Sequence, residues 1–251
     1  MIYKSAAELK SIARGKLLGK YSVAVGAIAL MQLIFFAFNS VVTYMVDMST
    51  TAGTIMYGAI SIIVNLIAVV FVVGELTIYM NLACGNNAKV TDIFSGFSMH
   101  PDKAIVLEII VAFRIFLWLI PACICAFLMY ATGSYNYVLI GLTAVFSLVG
   151  LAGGIYTRIK LSQCLYLLLD FPQYSAKEIV GFSVEIMKGH MGSYFKVVLS
   201  FIPMYILGIL SAGIGFFFIY PYSKMTFTEF YLDIIREPQT VKNDNKNSSD
   251  L

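Results

Sequence analysis

The side chains best placed to support chemistry in this 251-residue chain are three ionisable residues inside long apolar runs. They are Glu75 in the second run, and Glu108 and Arg114 in the third. Each costs about 2.5 to 3.5 kcal/mol at the centre of a bilayer, so such residues usually pair or serve a function. At about 1.5 Å of rise per residue, Glu75 and Arg114 lie at similar depths in their runs. We therefore treat them as a candidate intramembrane pair, with Glu108 on a different helix face and nearer the headgroups.

The second run also carries a seam of small or polar residues at spacings of three and four: Gly58, Ser61, Asn65, Ala68, Val72, Glu75 and Tyr79. Small residues let helix backbones approach, and Asn65 can donate a hydrogen bond across such a contact. Two interpretations of Glu75 and Arg114 remain open. In the first, they line a polar cavity reached from the cytoplasm. In the second, which we favour, they form a buried ion pair that fixes the helix register.

The sequence contains only partial matches to the motifs of soluble enzymes. The four cysteines form no C-x-x-C pair, and the two histidines have no H-E-x-x-H partner. Gly96 to His100 starts like a nucleophile elbow but ends in His where Gly is needed, and Gly213-Ile214-Gly215 lacks the third glycine of a dinucleotide loop. We expect no enzymatic activity, no cofactor and no metal site.

Other small-residue and proline signals indicate packing. Gly150 and Gly154 form a G-x-x-x-G pair in the fourth run, which predicts close helix contact. Pro203 and Pro221 predict kinks, although broken helices of the kind that bind substrates in transporters are the alternative.

The elements that position these residues are membrane helices. Hydrophobic residues make up 59% of the chain and charged residues 12%, against about 45 to 50% and about 25% in soluble domains. With about 20 residues per crossing, we predict an all-α polytopic membrane protein with six transmembrane helices in three hairpins, at about 21–45, 58–82, 104–130, 137–156, 194–210 and 211–235. They form a single domain over residues 1–236, followed by a disordered cytoplasmic tail over 237–251.

The distribution of basic residues predicts the orientation. Apart from Arg114, all Lys and Arg fall in four segments, which alternate with three regions that hold none. Because retained loops accumulate Lys and Arg, both termini are expected in the cytoplasm of a multi-pass cell-membrane protein. Lys196 and Lys224, in the last two runs, are expected to snorkel to the headgroups. The partners expected are anionic lipids of the cytoplasmic leaflet and a possible membrane protein, not nucleic acid.

Two amphipathic helices are predicted on the cytoplasmic side, over 5–19 and 175–189. Each begins with a capping box, Ser5 to Glu8 and Ser175 to Glu178, and ends at a glycine. A looser third copy, over 92–97, precedes the third crossing and lacks the box. These helices either lie in the headgroup plane or pack beneath the bundle as an internal platform.

The chain resembles the family catalogued as domain of unknown function 975. The resemblance is carried at the start by Leu9-Lys10, Ala13-Arg14, Leu18-Gly19 and Tyr21, and near the end by Met187-Lys188-Gly189-His190, Tyr194-Phe195, Leu199-Ser200-Phe201-Ile202, Gly213-Ile214-Gly215, Pro221-Tyr222 and Phe230-Tyr231. It implies a bacterial integral membrane protein, distantly similar to the membrane domain of some glycerophosphodiester phosphodiesterases. It implies no established activity, so no catalytic residue is assigned.

Two functions fit these observations. The first is a non-enzymatic membrane component that organises lipid or partner proteins through its basic cytoplasmic face. The alternative is a small transporter or permease component that uses a polar site around Glu75 and Arg114. A polar cavity near the middle of the bilayer would favour the second, and the sequence leaves the substrate, the partner and the oligomeric state undetermined.

Overall fold

The computed structural model describes residues 4–133 and 136–247, with side chains described as far as Arg236. The prediction of an all-α protein is confirmed, and the structure is 84% helical. The described helices are α1 (Ala6–Leu17), α2 (Tyr21–Met45), α3 (Thr51–Ala83), α4 (Pro101–Thr132), α5 (Tyr137–Lys160), α6 (Cys164–Asp170), α7 (Ala176–Ile186), α8 (Met191–Leu210) and α9 (Phe216–Asn247), with a 3₁₀ segment (Val90–Phe97) before α4.

Helix α2 has the predicted bounds, but α3 begins seven residues earlier than predicted, at Thr51 rather than 58. Thr50 caps α3 by accepting a hydrogen bond from the Gly53 N–H at 3.0 Å, which extends the helix into the predicted loop. Helix α9 continues past the predicted boundary at residue 236 as far as Asn247, so most of the tail for which we predict disorder is helical. Residues 248–251 lie outside the described residues.

Five stretches in the described part of the chain are long and apolar enough to cross a membrane: Tyr21–Met45, Thr51–Ala83, Pro101–Thr132, Tyr137–Asp170 and Met191–Leu210. These stretches are compatible with a multi-pass membrane protein. The sixth predicted crossing, over 211–235, is not among them, because α9 mixes apolar residues with Lys224, Glu229 and Asp233. Between residues 219 and 234, most of the side chains of α9 are nevertheless buried against the other helices.

The packed core lies at one end of the long helices. It combines the first turns of α2 and α4, the last turns of α3, and the short helices α1, α6 and α7 with much of α9. In the opposite halves, large apolar side chains are exposed, including Phe36 and Tyr44 in α2, Ile62 in α3, Phe127 in α4 and Leu148 in α5. The core end is the end that carries the Lys- and Arg-bearing segments.

Helix α1 packs beneath the bundle and contacts α3, α8 and α9. Leu9, Ala13 and Leu17 are buried along one face, at the spacing of an amphipathic helix. Lys10 donates to the Ser200 carbonyl at 2.6 Å, and Lys16 donates to the Ala83 carbonyl at 2.8 Å. Of the two predicted placements, this arrangement supports the internal platform.

Both predicted capping boxes are present. Ser5 caps α1 and Ser175 caps α7, and in each case the glutamate three residues later accepts from the serine N–H. Gly19 and Gly189 follow these helices with φ of 77° and 83°, left-handed values that favour glycine. The looser third copy forms the 3₁₀ segment instead of an α-helix.

The α7 cap should be sensitive to pH. The Ser175 hydroxyl and N–H donate to Glu178 at 2.7 and 2.8 Å, and they hold the pKa of Glu178 below its ordinary value. A carboxyl whose pKa is lowered in the folded state stabilises it above the unfolded-state pKa of about 4.3, and this contribution disappears as the pH falls through the folded-state pKa. At pH 7, amide hydrogen exchange in the first turn of α7 should be severalfold slower than in a Glu178→Gln variant. The two exchange rates should become equal as the pH falls through the folded-state pKa of Glu178, which lies below its ordinary value. Equal protection at pH 7 would contradict the capping role.

The 3₁₀ segment lies directly against α3. The Ile93 carbonyl occupies the space where a Cβ on Gly74 would project, and the Val70 carbonyl occupies the corresponding space at Gly96. Phe71 lies beside these glycines and makes edge contacts with Phe35, Phe94 and Phe97, at centroid separations between 5.1 and 5.7 Å. Two backbones thus meet without side chains between them.

Helices α4 and α5 pack closely through the predicted glycine pair. Gly150 faces the Trp118 carbonyl, Gly153 faces the indole ring of Trp118, and Gly154 faces Ile115. The Trp118 Nε1–H donates to the Thr157 hydroxyl at 3.0 Å and fixes the ring in this contact. Helices α8 and α9 run through Pro203 and Pro221 without a break, so the broken-helix alternative is not observed.

Candidate functional site

The Glu75 carboxylate is the most enclosed charge in the apolar runs. Its side chain is 1% exposed, and its Oε2 lies 3.4 Å from Lys224 Nζ. The Tyr220 hydroxyl donates to the same oxygen at 3.2 Å. The second carboxylate oxygen has no hydrogen-bond partner among the described residues. Lys224 and Tyr220 both belong to α9, so this cluster fastens α3 to α9.

The predicted pair of Glu75 with Arg114 is wrong. Glu75 faces α9, whereas Arg114 is exposed on α4 and lines a groove between α4 and α5. The depth of a residue along its helix indicates the level at which it lies, but not the neighbouring helix that it faces. The cation that pairs with Glu75 is Lys224 of α9, which comes several helices after α4 in the chain.

The secondary polar residues also have other partners. Glu108 accepts from Arg158 of α5 at 3.1 Å, and these two side chains are 30% and 59% exposed. The Asn65 amide donates to the Ser61 carbonyl of its own helix at 2.7 Å and is exposed, so the predicted hydrogen bond across a helix contact is not formed.

A cavity of about 250 Å³ lies between the two ion pairs. Lys224, Glu108 and Arg158 line it together with Tyr166 and Tyr194, while Glu75 lies behind Lys224 and does not line it. Lys224 lines the cavity and also pairs with Glu75, so its side chain connects the two. The predicted snorkelling of Lys224 is replaced by this inward contact.

A tyrosine cluster continues from this cavity. The Tyr166 and Thr228 hydroxyls lie 3.2 Å apart, and the Tyr166 ring stacks on Tyr231 with centroids 4.9 Å apart. The Tyr231 hydroxyl donates to Asp170 at 2.6 Å. These contacts join the α6 region to α9 through hydroxyl groups and aromatic surfaces.

The arrangement is suited to holding helices in register. A carboxylate and an ammonium that are both largely removed from water are stabilised by their pairing, and loss of either leaves the other uncompensated. In the described part of the chain, no group of three or more His, Cys, Asp or Glu side chains is placed to hold a metal ion. The expectation that no cofactor or metal is needed stays a prediction.

Lys224 and Tyr220 are the site residues that the sequence did not identify. From the sequence, we place Lys224 at the cytoplasmic end of its run, within reach of the headgroups, although residue 224 lies in the middle of the predicted crossing 211–235. The residues around Lys224 nevertheless indicate that it is buried in protein. Ser223, Thr226 and Thr228 flank Lys224, and such a density of polar residues favours burial in protein over exposure to lipid.

Comparison with protein families gives a match over residues 1–237 to a family described as protein of unknown function (DUF975). The match covers all six predicted crossings and the site residues described above. No curated protein and no solved structure matches the chain.

Proposed function

The chain belongs to the DUF975 family, and from that premise we propose that it is a non-enzymatic membrane component which organises anionic lipid and partner proteins through a basic cytoplasmic face. One observation carries the proposal: the packed core and the basic segments lie at the same end of the long helices. The packed part of the protein thereby presents cations to one leaflet, while the opposite halves offer apolar surface to lipid.

The proposed threading has six crossings, with both termini in the cytoplasm of a cell-membrane protein. Helix α9 is the sixth crossing although its composition is mixed. Its start follows the turn after α8, and its residue Asp233 pairs with Lys4 at 2.6 Å, beside α1. It therefore returns along the length that α8 covers. The burial of α9 explains how its polar residues are tolerated, since they face protein.

Cysteine labelling of intact cells tests this threading. In a cysteine-free background, Ser49→Cys in the α2–α3 turn should react with a membrane-impermeant maleimide added outside. Lys89→Cys and Lys177→Cys should react only after the cells are permeabilised. Reaction of either lysine position from outside would overturn the threading.

The basic face is formed by exposed cations of the packed end. Arg14, Lys89, Lys177 and Lys188 are all exposed there, and the apolar halves of the long helices add no cation to the opposite end. Each basic residue near an anionic leaflet attracts it by about 1 kcal/mol, and the attraction decays within a Debye length. The face is consequently expected to enrich anionic lipid around the protein.

Spin-labelled lipids measure this enrichment. In reconstituted protein, labelled phosphatidylglycerol should be about two- to fivefold enriched over labelled phosphatidylcholine in low salt, and the enrichment should fall in 1 M salt. The triple variant Lys89→Gln, Lys177→Gln and Lys188→Gln should lose most of it. Asp47→Asn, which changes one charge at the opposite end, should leave the enrichment unchanged. Equal association of the two lipids with the wild-type protein would overturn the proposal.

The cavity beside Lys224 supports the second candidate, a transporter or permease component. Its lining combines two cations and a carboxylate with tyrosine hydroxyls, which could bind a small polar solute. Transporter sites, however, lie near the bilayer midplane, whereas this cavity lies within the packed end. A cysteine at Val111, which lines the cavity, should be reached by soluble reagents from the cytoplasmic side alone. Labelling of Val111→Cys from both sides would favour the permease.

A further inference from the structure

The groove between α4 and α5 carries two cations and no acid. Its volume is about 470 Å³, and it is lined by Arg114, Leu117, Trp118, Tyr156, Thr157, Lys160 and Leu161. Among the described residues, neither Arg114 nor Lys160 forms an ion pair with a carboxylate. The contact found for the Lys160 ammonium is with the Tyr156 ring, at 5.6 Å from the centroid. The groove is therefore positively charged and open to a ligand.

The groove lies about one hydrocarbon thickness from the opposite ends of α4 and α5. Arg114 is eighteen residues before the end of α4 at Thr132, which is about 27 Å along a helix. Tyr156 is nineteen residues after the start of α5 at Tyr137, or about 29 Å. Both distances are close to the hydrocarbon thickness of about 30 Å. A ligand held by Arg114 and Lys160 would thus sit at the boundary between acyl chains and water.

The two aromatic residues of the groove match that level. Tyr and Trp concentrate at the membrane interface, where one part of the ring is apolar and another reaches polar groups. Trp118 is 43% exposed, and its indole N–H is already bound to Thr157. Its exposed ring surface, one helical turn beyond Arg114, is left to contact an acyl chain.

We propose that this groove binds the headgroup phosphate of an anionic glycerophospholipid. Arg114 donates two N–H groups to the phosphate oxygens, as guanidinium groups do in bidentate contacts, and Lys160 supplies the second positive charge. Leu117 and Trp118 contact the upper part of an acyl chain. The site rests on the proposed lipid-organising function and deepens it, because it adds one defined lipid position to a diffuse basic face.

Fluorescence of Trp118 tests the proposal directly, since it is the only tryptophan in the sequence. The full-length protein is reconstituted in mixed vesicles of phosphatidylglycerol and phosphatidylcholine, in which one lipid at a time carries brominated acyl chains that quench the indole. Brominated phosphatidylglycerol should bind about fivefold more tightly than brominated phosphatidylcholine near Trp118. The variant Arg114→Gln with Lys160→Gln should reduce this ratio to about one.

Controls separate the groove from the basic face and from free phosphate. Lys177→Gln with Lys188→Gln removes the same charge elsewhere and should leave the Trp118 ratio near its wild-type value, although it lowers spin-label enrichment. If both double variants lower the ratio equally, the basic face stands and the groove site is overturned. Inorganic phosphate at 10 mM should not reduce the ratio, and a reduction would show that the groove takes free phosphate instead of lipid.

Single variants keep the test decisive if the double variant does not fold. Arg114→Gln and Lys160→Gln should each lower the ratio partly, and Arg114→Lys should retain most of it. An unchanged ratio in both glutamine variants would overturn the proposal.

Discussion

Replacing Glu75 with Gln should lower the free energy of unfolding by about 2 to 3 kcal/mol. Removal of one member of a buried ion pair usually costs about 3 to 5 kcal/mol. The expected cost is smaller here because Lys224 is 24% exposed and can be partly hydrated. For a chain of this size the loss corresponds to a decrease of roughly 5 to 10 °C in the melting temperature, measured by size-exclusion chromatography after heating in detergent.

Matched variants identify the cause. Glu108→Gln removes a carboxylate from the more exposed pair with Arg158 and should cost no more than about 1 kcal/mol. Arg114→Gln should leave the free energy of unfolding unchanged, because Arg114 is not the partner of Glu75. The double variant Glu75→Leu with Lys224→Met should recover most of the loss, since it leaves no unpaired charge. A folded Glu75→Gln protein with wild-type melting would exclude the structural role.

Replacing Gly74 with Val should be at least as damaging, at about 3 kcal/mol or more. The added Cβ would overlap the Ile93 carbonyl of the 3₁₀ segment, and backbone cannot move aside as the end of a flexible side chain can. The segment must separate from α3, which also disturbs the contacts of Phe71 with Phe94 and Phe97. Thermal melting reports the loss, and faster proteolysis within Val90–Phe97 locates it.

A second glycine of α3 provides the control. A Cβ on Gly58 meets nothing within 4 Å, so Gly58→Ala should be neutral or stabilising by up to about 1 kcal/mol through helix propensity. Gly96→Ala should resemble Gly74→Val, because it meets the Val70 carbonyl from the other side of the contact. Normal melting of the Gly74 and Gly96 variants would mean that the two backbones do not approach as described.

Local features of this fold were predictable because their causes are local. The uncharged run from Tyr21 to Met45 determines both ends of α2, and the Ser-x-x-Glu pattern determines where α1 and α7 begin. The early start of α3 was missed because the Thr50 cap lies in a Thr- and Gly-containing stretch that also resembles a loop. The 3₁₀ segment was expected only as a weak repeat, since its conformation depends on its contact with α3.

The candidate site was only partly predictable for a different reason. The sequence identified Glu75 as a buried charge that needs a partner, and the structure supplies one. Choosing between Arg114 and Lys224 requires knowing which helices are neighbours, and helical periodicity carries no such information. The same limit explains why Glu108 was found without Arg158, although both lie at the basic ends of adjacent helices.

The lysine contacts of α1 also constrain the order of assembly. Helix α1 is synthesised before α8 and α9, and Ser200 and Tyr222, which bind Lys10, follow it by 190 and 212 residues. During most of translation, Leu9, Ala13 and Leu17 consequently lack their final neighbours. Docking of α1 against α8 and α9 must therefore wait until these two helices have been synthesised. Protease sensitivity of α1 in a chain truncated after residue 215 would reveal the undocked state.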